Sequence, residues 1–325
     1  MSLAKFIRIL GRGPGRSRAL TRDEAREAMN VILNGEAAPE AVGALLMLMR
    51  YRGESAPEIA GFTDALRIGA GEWNRLPVAL DWPSYAAGRT RGAPMFLLAA
   101  KLVAAAGYPV LLHGWNSHQN PVASVRLALS DLGIPEARSP DAANFLLSRH
   151  CIAYVPADAL HAPALELLNL RDVLGLRSCL NTVLRMLNPT GASAMVQGVF
   201  HPSYRDLQSD AASLLKQPSL TVIKGGGGEF ERHPGKAVTL LGLREGGRFE
   251  AVAEPLMQTT RRLHEPDLAA VEPAAIWDGT IHDTFAIECV IGTAALALMT
   301  CGEDVETAHK TARALWSSRD IRLAA

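Results

Sequence analysis

Apolar positions recur along this chain at two different spacings, and the change falls between residues 70 and 78. Up to residue 70 they return every three to four positions, the period of a helix with one buried face. Residues 3–10 put Phe6, Ile7 and Leu10 on one side and Lys5 and Arg8 on the other. Thr21 and Glu24 form a capping box that opens a helix running to Leu33, closed by Asn34 and Gly35. A strongly apolar helix over 39–52 ends at Gly53, and Ser55 caps another over 57–68 that ends at Gly69. These segments predict a compact unit of about four helices over residues 1–70. Its face from Leu45 to Met49 carries more apolar residues than so small a unit needs. Core packing accounts for most of that face, and a subunit contact would use the surplus.

From residue 78 onward short apolar runs alternate with helical periods. Strands are expected at 78–83, 109–113, 152–155, 194–200 and 220–223, with a hairpin-like pair at 237–243 and 249–252. Helices are expected at 95–106, 122–132, 141–148, 163–174, 179–187, 204–215, 283–299 and 305–317. Repeated alternation of strand and helix predicts an α/β domain over 71–325, with a mostly parallel sheet flanked by helices. Ligands of such sheets lie at the carboxyl ends of the strands, so the loops after Pro83, His113, Phe200 and Ile223 should line a site.

The overall balance is ordinary: 48% of residues are hydrophobic, 20% are charged, and the net charge is zero. A protein that is basic all over is therefore excluded, but the distribution is uneven. Residues 1–22 hold Lys5, Arg8, Arg12, Arg16, Arg18 and Arg22 without one acidic residue. The segment G-R-G-P-G-R-S-R at 11–18 predicts a mobile basic loop. Arginine outnumbers lysine 27 to 6, a bias that suits phosphate or reflects only a GC-rich genome. Cys151, Cys179, Cys289 and Cys301 show no metal or disulfide spacing and read as reduced thiols of a cytoplasmic protein. The apolar run 285–299 contains Glu288 and is too short to span a bilayer, so no membrane partner is expected.

Three stretches could carry chemistry. The segment S-Y-A-A-G-R-T-R-G-A-P at 84–94 joins a strand to a helix N-terminus, where free N–H groups favour an anion, and brings Arg89 and Arg91. His113 ends a strand before Trp115 and Asn116, as a second rim of the site or as a structural histidine. The segment K-G-G-G-G-E-F-E at 224–231 would let backbone approach a ligand closely. Its Glu229 and Glu231 share one face of an extended segment, as metal carboxylates or as two solvated side chains. No P-loop, G-x-S-x-G elbow or H-E-x-x-H motif occurs.

Several motifs together resemble glycosyltransferase family 3, in particular anthranilate phosphoribosyltransferase-like proteins. They are L-N-G-E at 33–36, G-A-L-L-M-L-M-R-Y-R-G-E at 43–54, G-Y-P-V-L-L-H-G at 107–114, L-G-L-R-S-C-L-N-T-V-L-R-M-L-N-P at 174–189 and V-Q-G-V-F at 196–200. The resemblance implies the nucleoside phosphorylase/phosphoribosyltransferase-like fold. It also implies a homodimer through the helical domain, with helices from 163–189 packing on that domain. Arg177 matches the arginine that holds the acceptor carboxylate; His113 and Asn116 would belong to the same vestigial substrate site. Departures fall on the donor side. The family's G-T-G-G-D loop is replaced by 84–94. Its acidic magnesium pair leaves only Glu231 as a remnant, with Phe230 in the aspartate position. Its Gly-Pro becomes Leu184-Arg185.

Those losses remove two sources of leaving-group stabilisation. The pattern is similar to a degenerate, YbiB-type branch that binds nucleic acid. The leading expectation is thus a non-catalytic homodimer with no cofactor that binds single-stranded DNA or RNA. Arg89, Arg91, Arg185 and Lys224 would form the phosphate track. Arg12, Arg16 and Arg18 would close over it, and Tyr85 and Trp115 would stack bases. The alternative is an active phosphoribosyltransferase on an aromatic or base acceptor, using magnesium and phosphoribosyl pyrophosphate.

Overall fold

A computed structural model describes residues 2–13, 15–85, 92–115, 124–259, 261–263 and 272–319. The chain begins with four helices: α1 (Ala4–Gly11), α2 (Arg22–Leu33), α3 (Pro39–Arg52) and α4 (Ala56–Gly69). Both capping boxes form, Thr21 with Glu24 and Ser55 with Glu58. Glu58 is fully buried and also accepts the Leu20 N–H at 2.8 Å, tying the start of α4 to the segment before α2. α2 and α4 pack so closely that a Cβ at Gly61 would lie 2.2 Å from the Arg22 carbonyl. Leu45, Leu46 and Met49 are buried in this unit.

Among the described residues the larger part is built on seven strands: β1 (Leu80–Ser84), β2 (Val110–Gly114), β3 (Ile152–Pro156), β4 (Ala194–Val199), β5 (Ser219–Lys224), β6 (Val238–Arg244) and β7 (Gly247–Ala253). Their order is β3-β2-β1-β4-β5-β6-β7. The first five in that order run parallel, and β6 and β7 are antiparallel. Alternate residues face opposite layers. Leu111, Val155, Met195 and Val222 join the core shared with the helical unit. Leu80, Trp82, Leu112 and Val196 join a second core on the other face.

The second core is covered by α5 (Phe96–Ala105) and by α13 (Thr284–Thr300), with α14 (Val305–Ser318) packed against both. The apolar run near the C-terminus is therefore a buried helix. Among the described residues no helix is long and apolar enough to cross a membrane. The intervening helices are α6 (Val125–Asp131), α7 (Pro140–His150), α8 (Ala157–Asn169), α9 (Arg171–Leu174), α10 (Leu180–Arg185), α11 (Tyr204–Leu214) and α12 (Pro273–Trp277). α8 and α10 pack against α4, so the helical unit and the sheet share one interface. Arg22 crosses it, holding Asp64 at 2.6 Å and donating to the Leu214 carbonyl at 2.6 Å. Arg67 donates to the Leu187 carbonyl at 2.7 Å.

The expected helix at 163–174 is corrected. It starts at Ala157, kinks at His161, whose φ is −163°, and divides at Leu170 into α8 and α9. Pro163 explains the break: it has no N–H to give, and His161 Nδ1 accepts the next free one, from Ala164, at 3.2 Å. In the basic segment, residues 16–18 are joined by backbone bonds to the end of α1 and the residues after it. Arg18 N–H donates to the Ile9 carbonyl at 3.3 Å, and Ser17 N–H to that of Gly13 at 3.1 Å.

Candidate active-site cleft

A cleft of about 110 Å³ opens at the carboxyl end of β4, between the sheet and the helical unit. Phe200 and His201 follow β4 and form its lip. α10 supplies Asn181, Thr182 and Arg185, with Arg177 and Ser178 just before it. Tyr204 comes from α11, and α3 sends Arg50 across from the helical unit. Three arginines and a histidine face this small volume, and among the described residues none that lines it is acidic.

Each arginine is positioned by different contacts. Arg185 is fixed at the end of α10 because Gln197 of β4 donates to its carbonyl at 2.7 Å. Its guanidinium donates through Nη1 to the Gly198 carbonyl. Burial pulls the Arg185 pKa below the usual arginine value; Glu229 opposes this and Arg177 adds to it. Arg177 is lowered as well, first by burial and then by Arg171 and Arg50. Arg50 donates to the Tyr204 hydroxyl at 3.2 Å, and that hydroxyl donates to Glu54 at 3.2 Å. Burial and Glu54 together raise the tyrosine's pKa.

Below the cleft lies a buried chain of polar groups. The Tyr85 hydroxyl lies 3.0 Å from His113 Nδ1, and His113 Nε2 lies 3.2 Å from Asp81 Oδ1. The three side chains are at most 1% exposed. A carboxylate facing Nε2 makes that nitrogen the donor, so Nδ1 is left to accept from Tyr85. Burial raises the Tyr85 pKa well above the usual value. Tyr85 lines the floor of the cleft but is 1% exposed and pairs with His113, so it offers no open ring face to a base, and for His113 the structural reading holds. The stacking role of Tyr85 is corrected: β1 and β2 are buried along their whole length, and Tyr85 follows directly on β1.

The glycine-rich segment is a turn seated on the protein's own strand. A Cβ at Gly198 would lie 2.0 Å from the Glu229 carbonyl oxygen, and one at Gly225 would lie 1.7 Å from the same atom. At these two positions the missing side chains let backbone meet backbone, while Gly227 of the same segment lines the cleft. Glu229 and Glu231 are each 1% exposed, which overturns the reading of two solvated glutamates. Glu229 accepts from Ser84 Oγ at 2.9 Å, and Glu231 accepts the Phe96 N–H at the start of α5 at 3.0 Å. Glu231 thus supplies a negative charge where the helix dipole favours one. These acids do not fit a divalent cation. They are turned inward, and among the described residues no group of three His, Cys, Asp or Glu side chains could hold a metal. Glu231, the expected remnant, is engaged by the Phe96 N–H.

Of the other expected site residues, Arg177 and Arg185 meet in the cleft. Lys224 is exposed at the end of β5, and Arg12 and Arg16 are exposed on the segment after α1. Arg18 is committed to Glu24 through two nitrogens at 2.6 and 2.7 Å, so it is not a free cation. Trp115 is half-buried against the core, with the Arg126 guanidinium 5.9 Å from its ring centre. Arg89, Arg91 and Asn116 lie outside the described residues. Sequence reasoning missed Arg50, Tyr204 and Asn181. Arg50 closes an apolar run as M-R-Y-R, and its position at the helix end was the signal available.

A helical unit standing over the carboxyl edge of a mostly parallel sheet, with an arginine-lined cleft between them, defines a two-part α/β protein. Residues 4–68 match the helical bundle domain of the glycosyl transferase family, and residues 95–318 match its a/b domain. The chain belongs to glycosyl transferase family 3. It is 33% identical over 213 residues to anthranilate phosphoribosyltransferase of Rhizobium rhizogenes, covering 64% of this chain and 61% of that one. It is 28% identical over 307 residues to that of Methylobacterium nodulans, covering 91% and 89%. The fold superimposes on the enzyme of Thermus thermophilus with a TM-score of 0.76 at 23% identity, over 98% of this chain and 95% of that one. It does likewise on the Saccharomyces cerevisiae enzyme in complex with PRPP and Mg, with a TM-score of 0.76 at 18% identity, over 97% and 93%.

Proposed function

We propose that this chain is a family 3 transferase that holds a ring-bearing acid in the arginine cleft as acceptor for a phosphoribosyl group. The observation that carries this is the meeting of Arg177 and Arg185 at the carboxyl end of β4, in a pocket without acidic lining. Guanidinium groups bind carboxylates through paired, charge-assisted hydrogen bonds. The relatives are named for anthranilate, a ring that carries one carboxylate and one amine. In the reaction the acceptor nitrogen forms a bond to C1 of the ribose. The C1–O bond to pyrophosphate breaks, its electron pair leaves on pyrophosphate, and the N–H proton passes to water.

This chain's residues orient the acceptor: Arg177 and Arg185 take its acid, with Asn181 and Ser178 beside them. The inward-turned glutamates supply no metal pair, so the diphosphate charge is assigned to cations, Arg89, Arg91 and Lys224. The test incubates the protein with phosphoribosyl pyrophosphate, magnesium and a panel of aromatic amino acids and bases. Pyrophosphate release with a new N-glycoside in the mass spectrum is expected. Acceptor binding without release across the panel, under conditions where a family enzyme turns over, would refute the transferase reading.

A second reading is a surface for single-stranded DNA or RNA. It rests on the acid-free cleft together with the exposed Arg12, Arg16 and Lys224. It predicts oligonucleotide binding that weakens steeply with salt. Anisotropy of a labelled oligonucleotide tests it, and affinity that does not change between 20 and 200 mM salt, on the order of a tenfold range, counts against it. In either reading we assign the homodimer contact to the helical side, where Tyr51 is 91% and Val173 82% exposed.

A further inference from the structure

A second cavity, of about 250 Å³, opens at the other end of the sheet from the arginine cleft and is more than twice its size. Thr221 reaches it from the start of β5, Leu243 from the end of β6 and Phe249 from β7. The wall opposite is the end of α13, with Met299, and the turn that leads into α14, with Glu303. A 17-residue helix thus presents its carboxyl end here, the end whose dipole favours a positive charge.

The three acids of the lining are not equivalent. Asp304 caps α14, accepting the Thr307 N–H at 3.0 Å and the Thr307 hydroxyl at 2.6 Å. Glu245 is exposed in the turn between β6 and β7. Glu303 is partly buried, and its Oε2 is enclosed without a hydrogen-bond partner. The Tyr108 phenol stands beside the same carboxylate, and its pKa is raised by burial first and then by Glu303. An enclosed carboxylate oxygen without a donor is destabilising, and a ligand that brings an N–H relieves it. A metal ion does not fit: among the described residues no group of three His, Cys, Asp or Glu side chains could hold one. Arg244 forms the rim, its guanidinium carbon 4.9 Å from the centre of the Phe249 ring. It repels a cation from the mouth, so a ligand's charge belongs at the inner end, at Glu303, and its apolar body lies along Phe249, Leu243 and Met299.

The geometry points to a binding site for an organic monocation, a primary ammonium on an aromatic or apolar body, with Glu303 as its anchor. An apolar cavity of about 150 Å³ takes a benzene ring, so this one has room for a ring and a short amine-bearing chain. The site lies apart from the arginine cleft and does not depend on the transferase reading.

Calorimetric titration of the full chain with phenylethylammonium, phenylethanol and phenylacetate tests this, since the three share a ring and differ in charge. The ammonium should bind about tenfold more tightly than the alcohol, the factor that one added charge-assisted hydrogen bond supplies, and phenylacetate should bind most weakly. Glu303→Gln keeps the size and removes the charge, and should bring the ammonium to within about twofold of the alcohol. Phe249→Ala should weaken ammonium and alcohol together, about fivefold, because both lose the ring contact. That residue stands on the edge strand, so its variant carries the test if Glu303→Gln does not fold. Equal affinity for ammonium and alcohol, tighter phenylacetate, or no ammonium binding overturns the inference. A preference that survives in Glu303→Gln, or ammonium affinity unchanged in Phe249→Ala, overturns it too.

Discussion

Replacing Gly198 by alanine perturbs the cleft at the point where strand, glycine turn and Arg185 meet. The new Cβ would lie 2.0 Å from both the carbonyl carbon and the oxygen of Glu229, and 2.5 Å from the Phe230 nitrogen. All three are backbone atoms, so no side-chain rotation relieves the overlap. To restore ordinary contact the turn must retreat by roughly 1.5 Å. Retreat strains the Gly225 N–H bond to Val199, 3.2 Å in the native fold, and the Arg185 bond to the carbonyl of residue 198 itself. Overpacking costs about 1–3 kcal/mol, and a buried bond to a charged group about 1.5–3 kcal/mol. Losing one such bond brings the total to about 3–5 kcal/mol. Urea unfolding of the variant beside the native chain measures it. Gly191→Ala is the control: it has open space around it and φ of +68°, and should cost about 1 kcal/mol. A Gly198→Ala cost below about 1 kcal/mol, with unchanged ligand affinity, would refute the seating of the turn on β4.

Two further outcomes follow from buried or paired groups. Tyr85→Phe removes the hydroxyl that His113 Nδ1 accepts from and should cost about 1–3 kcal/mol in urea unfolding. The same variant should bind oligonucleotide as the native chain does, and weakened binding would return Tyr85 to the surface. Glu24 is held at about 2, chiefly by the Arg18 hydrogen bond. A depressed carboxyl stabilises the fold above its unfolded value, 4.5, and that contribution is lost as pH falls toward 2. Arg18→Ala should bring the Glu24 titration, followed by carboxyl carbon NMR, back toward 4.5, and a midpoint still near 2 would show that the pair is not the cause.

Much of the architecture was legible because periodicity reports burial. The near-continuous apolar runs V-L-L and A-M-V mark strands covered on both faces, and the observed β2 and β4 are buried along their whole length. Thr21 and Ser55 announced α2 and α4 because a cap is a local interaction. The cleft was legible only in part. Arg177 and Arg185 sit in a motif whose resemblance to the family pointed to them. Arg50 stands 127 positions before Arg177, and nothing local joins the two. The glutamates misled because an i, i+2 spacing says that two residues share a face, not which way the face turns. Their direction comes from Ser84 and from the start of α5, both more than 130 residues away.

The arginines that fasten the helical unit to the sheet have a consequence for how a ligand would arrive. Arg22 and Arg67 reach main-chain carbonyls, and burial lowers the Arg67 pKa below the usual arginine value. Neither a carbonyl nor a guanidinium changes its proton count across the range in which proteins are handled, so this clasp ignores mild acid and mild base. The walls it joins are those that carry Arg50 on one side and Arg185 on the other. A small molecule entering between them meets a mould already set, with little ordering left to oppose capture.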